Sequence, residues 1–349
     1  EDEIVSLGLA GFFPQVTTSG HLVYMTETGE IMAVPFDAGR LETTGAAVPI
    51  IRGADNFMEG RGVALSGDGT LAYVAGSGSD RYQPVWVDRD GAATPLDPDW
   101  SYDPGDNNSG LALSPEGDRL AVAVLEGEAE DIWIKELPRG PLTRLTVDPA
   151  QDVRPRWTHD GRVTFVTERD DRMADIFVQR ADGAGGAEPL LTSELQLWEG
   201  LLSRDGAWLV ARTGGEQGAS GGRDVLAFRP GEDTEPIPLI VTDFDEKAVT
   251  LSPDGNWLAY ESDETGQNEI YVRPFPNVDD GKWAVSVGGG VMPLWSHGGG
   301  EIFYVNRNRE MVSAVVDTEA GFRVRERRSL FTVGPDYLIN QFEQYTLYD

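Results

Sequence analysis

One serine of this chain stands in a motif that serine hydrolases use. Residues 218–222 read Gly-Ala-Ser-Gly-Gly and match the G-x-S-x-G elbow. That elbow works because a sharp strand-to-helix turn presents the serine hydroxyl to a histidine. A glycine-rich stretch surrounds Ser220 instead, and no helical pattern follows it. We therefore interpret the segment as a loop and predict no catalytic residue in this chain.

Few residues could hold a metal ion. The chain has no cysteine and three histidines, His21, His159 and His297. Thiolate sites are thereby excluded. The histidines occupy equivalent or adjacent positions of a repeated turn, so we expect them to lie far apart.

The most acidic segment, residues 97–108, reads DPDWSYDPGDNN. Its dense oxygen donors suit Ca²⁺, which takes six to eight oxygen ligands. The candidate metal ligands are Asp99, Asp103 and Asp106, although the run lacks the D-x-D-x-D-G spacing. The alternative is a solvated turn, and no other cofactor is predicted.

The chain is strongly acidic, with 59 Asp and Glu against 28 Lys and Arg, a net charge of −31. Such a surface repels phosphate backbones and anionic lipids, so we predict no nucleic-acid partner. No apolar run reaches the 18 residues typical of a membrane-spanning helix, so no membrane insertion is predicted. Residue 1 is Glu1 rather than Met. We therefore expect that the sequence begins either inside a longer gene product or at a site of processing.

A short turn motif recurs along the whole chain. It consists of a hydroxyl residue, two variable positions and a glycine, and its glycines stand at 20, 69, 117, 161, 206, 255 and 299. An Asp-Gly pair supplies the positive φ angles of a tight hairpin. An apolar strand follows each glycine, and an acid precedes the third strand at Glu30, Asp131, Asp175, Asp224, Glu269 and Glu310. The spacing of 44–49 residues is typical of one four-stranded propeller blade.

The repeat predicts an all-β fold, a β-propeller of four-stranded antiparallel blades. We predict one domain over residues 1–349 with seven blades, although six or eight stay open. The predicted blades cover residues 10–51, 57–98, 106–147, 151–193, 197–241, 245–287 and 290–332, and residues 333–349 form a closing strand or a tail. The repeated acid, present in six units, is interpreted as structural, capping backbone amides or pairing with arginine.

The segments that differ between repeats are the better candidates for a binding site. In a propeller, the loops between blades and the starts of the inner strands surround the mouth of the central funnel. Mixed charges and aromatic rings in a concave mouth are typical of a small-ligand or peptide site. The predicted ligand-binding residues are Arg61, Arg154, Trp198, Glu199, Asp243, Phe244 and Lys247. We expect them to stand outside the packed interior, and an unspecialised solvated rim is the alternative.

These repeats resemble the TolB-type propeller repeat, a WD-like family with the pattern W-S-P-D-G, an apolar strand and then D-I-Y. The pattern is most complete in Leu251–Gly255 with Glu269–Tyr271, and in Trp157–Gly161 with Asp175–Phe177. Residues 21–37, 271–276 and 293–304 are also similar to the propeller region of bacterial receptor-type serine/threonine kinases. That resemblance implies a parent protein with a cytoplasmic kinase and an extracytoplasmic propeller. The chain itself lacks the H-R-D and D-F-G motifs of a kinase.

Two functions follow from the sequence. The first is a non-catalytic binding or sensing propeller, the periplasmic or cell-surface part of a larger bacterial receptor-like serine/threonine kinase. Its partner would be a protein, peptide or small-molecule ligand at the propeller mouth. The alternative is a stand-alone propeller enzyme, a metal-dependent lactonase or lyase with its site at the central channel. An enzyme needs several carboxylates or imidazoles that converge on one point.

Overall fold

A computed structural model describes residues 6–26, 30–51, 63–65, 71–73, 81–105, 110–126, 129–169, 172–214 and 222–334. The chain packs as two units, residues 1–80 and 81–349. Regular structure in the described residues is almost entirely β-strand. The single described helix is a 3₁₀ turn at Val278–Asp280, so no described helix is long and apolar enough to cross a membrane. The predicted all-β class is confirmed.

The first unit contains one antiparallel sheet and one separate hairpin. The strands of the sheet are β1 (Phe12–Val16), β2 (His21–Met25), β3 (Ile31–Asp37), β4 (Glu42–Thr43) and β5 (Val48–Ile51). Strands β1 to β4 follow one another in order, and β5 also pairs with β3. The hairpin joins β6 (Val63–Leu65) to β7 (Leu71–Tyr73). Apolar residues of β2 and β3 alternate between the two faces of the sheet and bury a cluster on each.

The second unit begins with a hairpin, β8 (Val85–Val87) and β9 (Ala93–Pro95). Five four-stranded sheets follow, each with its strands in chain order. The first sheet holds β10 (Leu111–Leu113), β11 (Arg119–Glu126), β12 (Ala129–Glu136) and β13 (Leu142–Arg144). The second holds β14 (Gln151–Trp157), β15 (Arg162–Arg169), β16 (Arg172–Arg180) and β17 (Glu188–Leu191).

The remaining sheets repeat this plan. The third holds β18 (Leu197–Leu202), β19 (Leu209–Thr213), β20 (Val225–Phe228) and β21 (Ile237–Ile240). The fourth holds β22 (Glu246–Leu251), β23 (Trp257–Ser262), β24 (Glu269–Pro274) and β25 (Trp283–Ala284). The fifth holds β26 (Val291–Trp295), β27 (Glu301–Val305), β28 (Glu310–Asp317) and β29 (Arg323–Thr332). Each sheet falls within one predicted blade range, and the number of blades stays a prediction.

The core of the second unit lies between neighbouring sheets. Middle strands such as β11 are buried on both faces, which is why they read as continuous apolar runs rather than alternating ones. Ala121 and Ile132 of the first sheet pack with Val163 and Phe165 of the second. Similar clusters fill each following gap between sheets. The burial of these apolar faces is the main driving force for stacking the sheets.

The β8–β9 hairpin contacts both ends of this row of sheets. Trp86 packs against the apolar cluster of the first sheet. Arg89 donates hydrogen bonds to both carboxylate oxygens of Glu301 in the fifth sheet, at 3.0 and 2.7 Å. Its guanidinium also lies 5.1 Å from the centre of the Phe303 ring. The row of sheets in the second unit therefore begins and ends at the same hairpin.

Candidate functional site

The inner strands carry a repeated β-bulge near their starts. The pairing register shifts after Val153 in β14, after Lys247 in β22 and after Val291 in β26. The first bulged residues, Arg154, Ala248 and Met292, have positive φ angles of 57°, 51° and 56°. Positive φ is uncommon outside glycine, and a bulge redirects the side chains around it. The same device recurs in three sheets of the second unit and sets the direction of the candidate residues.

A group of charged side chains surrounds Glu199 in the interior. Glu199 Oε1 accepts a hydrogen bond from Arg212 Nε at 2.9 Å and lies 3.5 Å from Arg154 Nη1. Glu199 Oε2 accepts one from the Val249 backbone amide at 3.4 Å. Burial opposes the charged carboxylate, but Arg212, Arg154 and Arg156 outweigh it and hold the pKa of Glu199 below its usual value. Glu199 is therefore ionised at neutral pH.

An aromatic ring completes this group. The Arg154 guanidinium lies 5.1 Å from the centre of the Trp198 ring, within the range of a cation–π contact. A side chain at Gly214 would put its Cβ 1.9 Å from Trp198 Nε1, so this glycine leaves room for the indole. Burial and the neighbouring charge of Arg212 lower the pKa of Arg154 to about 9. We call Arg154, Trp198, Glu199 and Arg212 the Arg154 cluster.

A second buried ion pair lies on the fourth sheet. Lys247 Nζ lies 3.3 Å from Glu261 Oε1, and Glu261 Oε2 accepts a hydrogen bond from the Met292 amide at 3.2 Å. Burial raises the pKa of Glu261, and the Lys247 charge opposes that rise. Glu246 begins the same strand and accepts hydrogen bonds from Thr242 and Ser262 at 2.8 and 3.2 Å. Burial raises the pKa of Glu246 to about 7 despite these bonds.

The structure brings together some of the predicted mouth residues and separates others. Arg154, Trp198 and Glu199 meet in the Arg154 cluster, and Lys247 pairs with Glu261. The expectation that these positions lie outside the packed interior is wrong for Arg154, Glu199 and Lys247. Their residues are 7%, 7% and 6% exposed, because the opposite charges let them be buried.

Two predicted residues lie on the surface of the loop between β21 and β22. Asp243 is exposed, and Phe244 is 42% exposed. The described residues show no contact of either side chain with the Arg154 cluster. Arg61 lies outside the described residues. The assignment of all these residues to ligand binding stays a prediction.

Sequence reasoning missed Arg212 and Glu261, which supply the opposite charges. In the antiparallel hairpins, Glu199 stands directly across from Arg212 and Lys247 directly across from Glu261. Directly opposed residues of opposite charge stabilise a strand pair. Counting outward from the turn at Ser203–Gly206 would have identified Arg212, because the turn sets the register. The same count fails for Glu261, because the bulge after Lys247 shifts the register of the fourth sheet by one residue.

The candidate metal ligands show no convergence in the described part of the chain. No group of three His, Asp or Glu side chains there is arranged to hold a metal ion. The Asp103 carboxylate accepts a hydrogen bond from the Gly105 backbone amide at 3.0 Å. The backbone amide of Asp99 donates a hydrogen bond to the Asp97 carboxylate at 3.1 Å. Asp106 and Ser220 lie outside the described residues. Calcium binding stays a prediction.

The repeated acid before the third strand has the expected structural contacts. Asp131 is buried and accepts a hydrogen bond from Arg144 at 2.6 Å. Glu269 accepts hydrogen bonds from the amides of Gly288 and Gly289, both at 2.8 Å. In each case the hydrogen bonds of the acid connect the start of the third strand to residues at the end of the fourth strand or just beyond it. Pairing with arginine is thus confirmed for Asp131, and capping of backbone amides is confirmed for Glu269.

Comparison with known proteins agrees with this architecture. No family model matches the chain. Among solved structures, TolB from Acinetobacter baumannii has a TM-score of 0.54 at 15% identity, covering 89% of this chain and 80% of that one. A putative TolB from Agrobacterium tumefaciens has a TM-score of 0.53 at 17% identity, covering 69% of this chain and 84% of that one. The fold is a TolB-like β-propeller.

The sequence similarity to curated proteins is local. Over 51 residues the chain is 41% identical to the Tol-Pal system protein TolB of Anaeromyxobacter dehalogenans, strain 2CP-1. The segment covers 15% of this chain and 12% of that protein. TolB of Anaeromyxobacter sp. strain K matches to the same extent. The chain thus matches about an eighth of the length of these curated relatives, and the resemblance supports the fold rather than a shared activity.

Proposed function

We propose that this chain is a non-catalytic binding module that takes a ligand or protein partner where the Arg154 cluster meets solvent. The observation that carries the proposal is the contact of Arg154 with Trp198 and with a carboxylate that it shares with Arg212. Arginine and tryptophan are the residues that most often dominate binding energy at protein interfaces. Trp198 is half-buried and gives the cluster its access to solvent.

The charges of the cluster favour a ligand that bears a carboxylate. Arg212, Arg154 and Arg156 all act on the carboxylate of Glu199 and hold it in its charged form. The lowered pKa of Arg154 reflects burial and the repulsion from Arg212. An incoming carboxylate would relieve that repulsion and make a charge-assisted hydrogen bond. The protein carries a net charge of −31, so basic groups elsewhere on the ligand would favour its approach.

We further propose that the module is the extracytoplasmic part of a larger bacterial receptor-like serine/threonine kinase. Support comes from the three stretches that resemble the propeller region of such kinases, at residues 21–37, 271–276 and 293–304. Reading the gene upstream of the codon for Glu1 tests this directly. A kinase domain followed by a membrane span is the expected result. A reading frame without a kinase would contradict it.

The binding proposal is tested with a short peptide that has basic residues and a free carboxyl terminus. Isothermal titration calorimetry compares it with the same peptide amidated at that terminus. Amidation should weaken binding about tenfold or more, because a hydrogen bond to a charged group contributes roughly 1.5–3 kcal/mol. Arg154→Met should cause a similar loss, Arg154→Lys should restore part of it, and the exposed control Arg139→Gln should bind normally.

Circular dichroism and thermal melting must first show that each variant is folded. Equal binding of the free and amidated peptides, or normal binding by folded Arg154→Met, would refute the proposed site. Metal-dependent turnover of a sugar lactone or an acidic oligosaccharide by the purified chain would refute the non-catalytic assignment.

A further inference from the structure

Two acids meet beside the loop that leads from the third sheet to the fourth, residues 241–245, which we call the β21–β22 loop. Glu246 is the first residue of β22 and is 1% exposed. Asp224 directly precedes β20 in the third sheet. The backbone amide of Thr242 interacts with the Asp224 carboxyl, and the Thr242 hydroxyl donates a hydrogen bond to Glu246 at 2.8 Å. One loop residue therefore holds both acids side by side.

One oxygen of each acid has no hydrogen-bond donor within the described residues. These oxygens are Asp224 Oδ1 and Glu246 Oε2, and both are buried. The other oxygen of Glu246 accepts hydrogen bonds from Thr242 and Ser262. A buried carboxylate oxygen without a donor is costly. Because solvent reaches neither oxygen, the donor that fits between them is a proton carried by one of the two acids.

The charged groups around Glu246 do not give it a cation of its own within the described residues. Asp224 acts on it as a second negative charge, and Lys282 as a positive one, but the Lys282 ammonium binds Glu264. Tyr260 of the neighbouring strand β23 is neutral, because burial raises its pKa to about 12. Burial, with the charge of Asp224 added, raises the pKa of Glu246 to about 7. Burial also raises the pKa of Asp224.

The loop between β17 and β18 offers an internal comparison. The first residue of β18, at the position that Glu246 holds in β22, is Leu197. The repeated acid of the preceding sheet is present, and Asp175 accepts a hydrogen bond from the Ser193 backbone amide at 3.3 Å. That loop is thus anchored with one acid where the β21–β22 loop has two. A second acid is therefore not required to hold such a loop in place.

The far end of the β21–β22 loop is fixed independently of these two acids. Asp245 pairs with Arg223 at 2.7 Å, and its backbone amide donates a hydrogen bond to Asp263 at 2.9 Å. The backbone amide of Phe244 bonds within the loop, to the Thr242 hydroxyl at 3.0 Å. Release of Thr242 should therefore free the first part of the loop and leave Asp245 in place.

We propose that Asp224 and Glu246 share one proton and act as a pH-sensitive lock on the β21–β22 loop. In the locked state, protonated Glu246 donates a hydrogen bond from Oε2 to Asp224 Oδ1, which satisfies both buried oxygens. At higher pH the proton passes to water, and the two adjacent carboxylates repel each other. Water must then reach the buried oxygens, and the surface loop beside them is the segment that can move to admit it. Asp243 and Phe244 are exposed on this loop, so the lock makes the presentation of these two predicted mouth residues depend on pH.

Two measurements on the full chain test the proposal, and neither involves a ligand. Carboxyl ¹³C NMR after labelling of the glutamates follows the proton, and Glu246→Gln assigns the Glu246 signal. Hydrogen–deuterium exchange between pH 5 and pH 8 follows the loop, after correction for the intrinsic pH dependence of exchange. The Glu246 signal should titrate at about pH 7, and the protection of residues 241–244 should fall over the same range. The loop between β17 and β18 should keep its protection.

Two variants separate the shared proton from burial alone. Glu246→Gln carries an amide donor that it cannot lose, so the β21–β22 loop should stay protected up to pH 8. Asp224→Asn removes the neighbouring charge, so the titration midpoint of Glu246 should fall by about one pH unit or more. Asp175→Asn is the matched control and should leave both readings as in the parent chain.

The proposal is overturned by a Glu246 signal that titrates in the ordinary range of a glutamate, or by an unchanged midpoint in Asp224→Asn. Loop protection that does not change with pH, in a chain whose Glu246 does titrate at about pH 7, overturns the lock itself. If a variant does not fold, the titration and the exchange of the parent chain, with the loop between β17 and β18 as reference, still decide the question. The binding proposal for the Arg154 cluster can fail without affecting this result.

Discussion

The Arg154 cluster and a cavity among the hairpin turns of the third to fifth sheets lie at opposite ends of the inner strands and differ in how their polar groups are paired. This turn cavity is lined by residues that include Arg204, Asp254, Trp295 and Gly298. In the Arg154 cluster, Glu199 binds Arg212 and approaches Arg154, so each buried charge has a partner within the protein. In the turn cavity, the Trp295 N–H has no acceptor and the Arg204 side chain no ion pair among the described residues. The difference indicates that removal of a cluster residue should cost stability, whereas a change of the exposed Arg204 should cost little.

The largest expected effect is the loss of the carboxylate of the Arg154 cluster. Glu199→Ala leaves the guanidiniums of Arg154 and Arg212 buried without their shared counter-ion. Breaking a buried ion pair in this way costs roughly 3–5 kcal/mol of unfolding free energy. Urea denaturation of the variant measures it, with the exposed Glu188→Gln as control. A loss below about 1 kcal/mol would show that the cluster is not held by its charges.

The free energy of unfolding should depend on pH through Glu246, a buried acid that lies outside the Arg154 cluster. Burial raises its pKa from 4.5 to about 7, and the charge of Asp224 adds to the rise. The folded chain therefore binds this proton more tightly than the unfolded chain. The stabilisation is complete below pH 4.5 and is lost as the pH rises through about 7. The loss amounts to about 3 kcal/mol.

Glu246→Gln removes this titration, so the variant should gain stability relative to the parent chain between pH 5 and pH 8. Urea midpoints of the two proteins across this range measure the difference. The control is again Glu188→Gln, which should follow the parent chain. Parallel curves for Glu246→Gln and the parent chain would contradict the raised pKa.

A smaller effect is expected for the acid repeated before the third strand. Asp131→Ala removes the partner of Arg144 and Thr146, and the loss of a buried, hydrogen-bonded carboxylate typically costs about 1–3 kcal/mol. Asp175 is less buried and accepts from the Ser193 amide at 3.3 Å, so Asp175→Ala should cost less. Thermal melting ranks the two variants. Equal melting temperatures in both variants and the parent chain would indicate a dispensable acid.

The smallest effect on stability is expected at the turn cavity. Arg204→Gln changes an exposed side chain without a partner in the described residues, so its unfolding free energy should stay within about 0.5 kcal/mol of the parent value. A marked destabilisation would show that Arg204 has a structural contact, and the contrast between the two regions would then fail.

The sequence was sufficient for the local parts of the fold. Turn motifs such as Ser252–Gly255 predicted the hairpins, because positive φ at glycine and the hydroxyl–acid contacts of the turn involve only neighbouring residues. The apolar runs predicted the middle strands. The site was predicted in part: Arg154, Trp198 and Glu199 do meet, but their burial and their partner Arg212 were not anticipated. Periodicity identifies strand faces, whereas burial depends on what packs against them.

The sequence by itself determined where strands and turns occur, because φ preferences and side-chain alternation act over a few residues. Only the tertiary structure decided which side chains from different sheets meet. Trp157 and Trp295 precede the same turn motif, yet one finds the Ala112 carbonyl and the other lines a cavity. Arg154 stands at a β-bulge and reaches Glu199 of the neighbouring sheet, and the sequence of its own strand does not predict that bulge. Such contacts depend on how whole sheets pack and on the register between distant segments, and no local pattern records either.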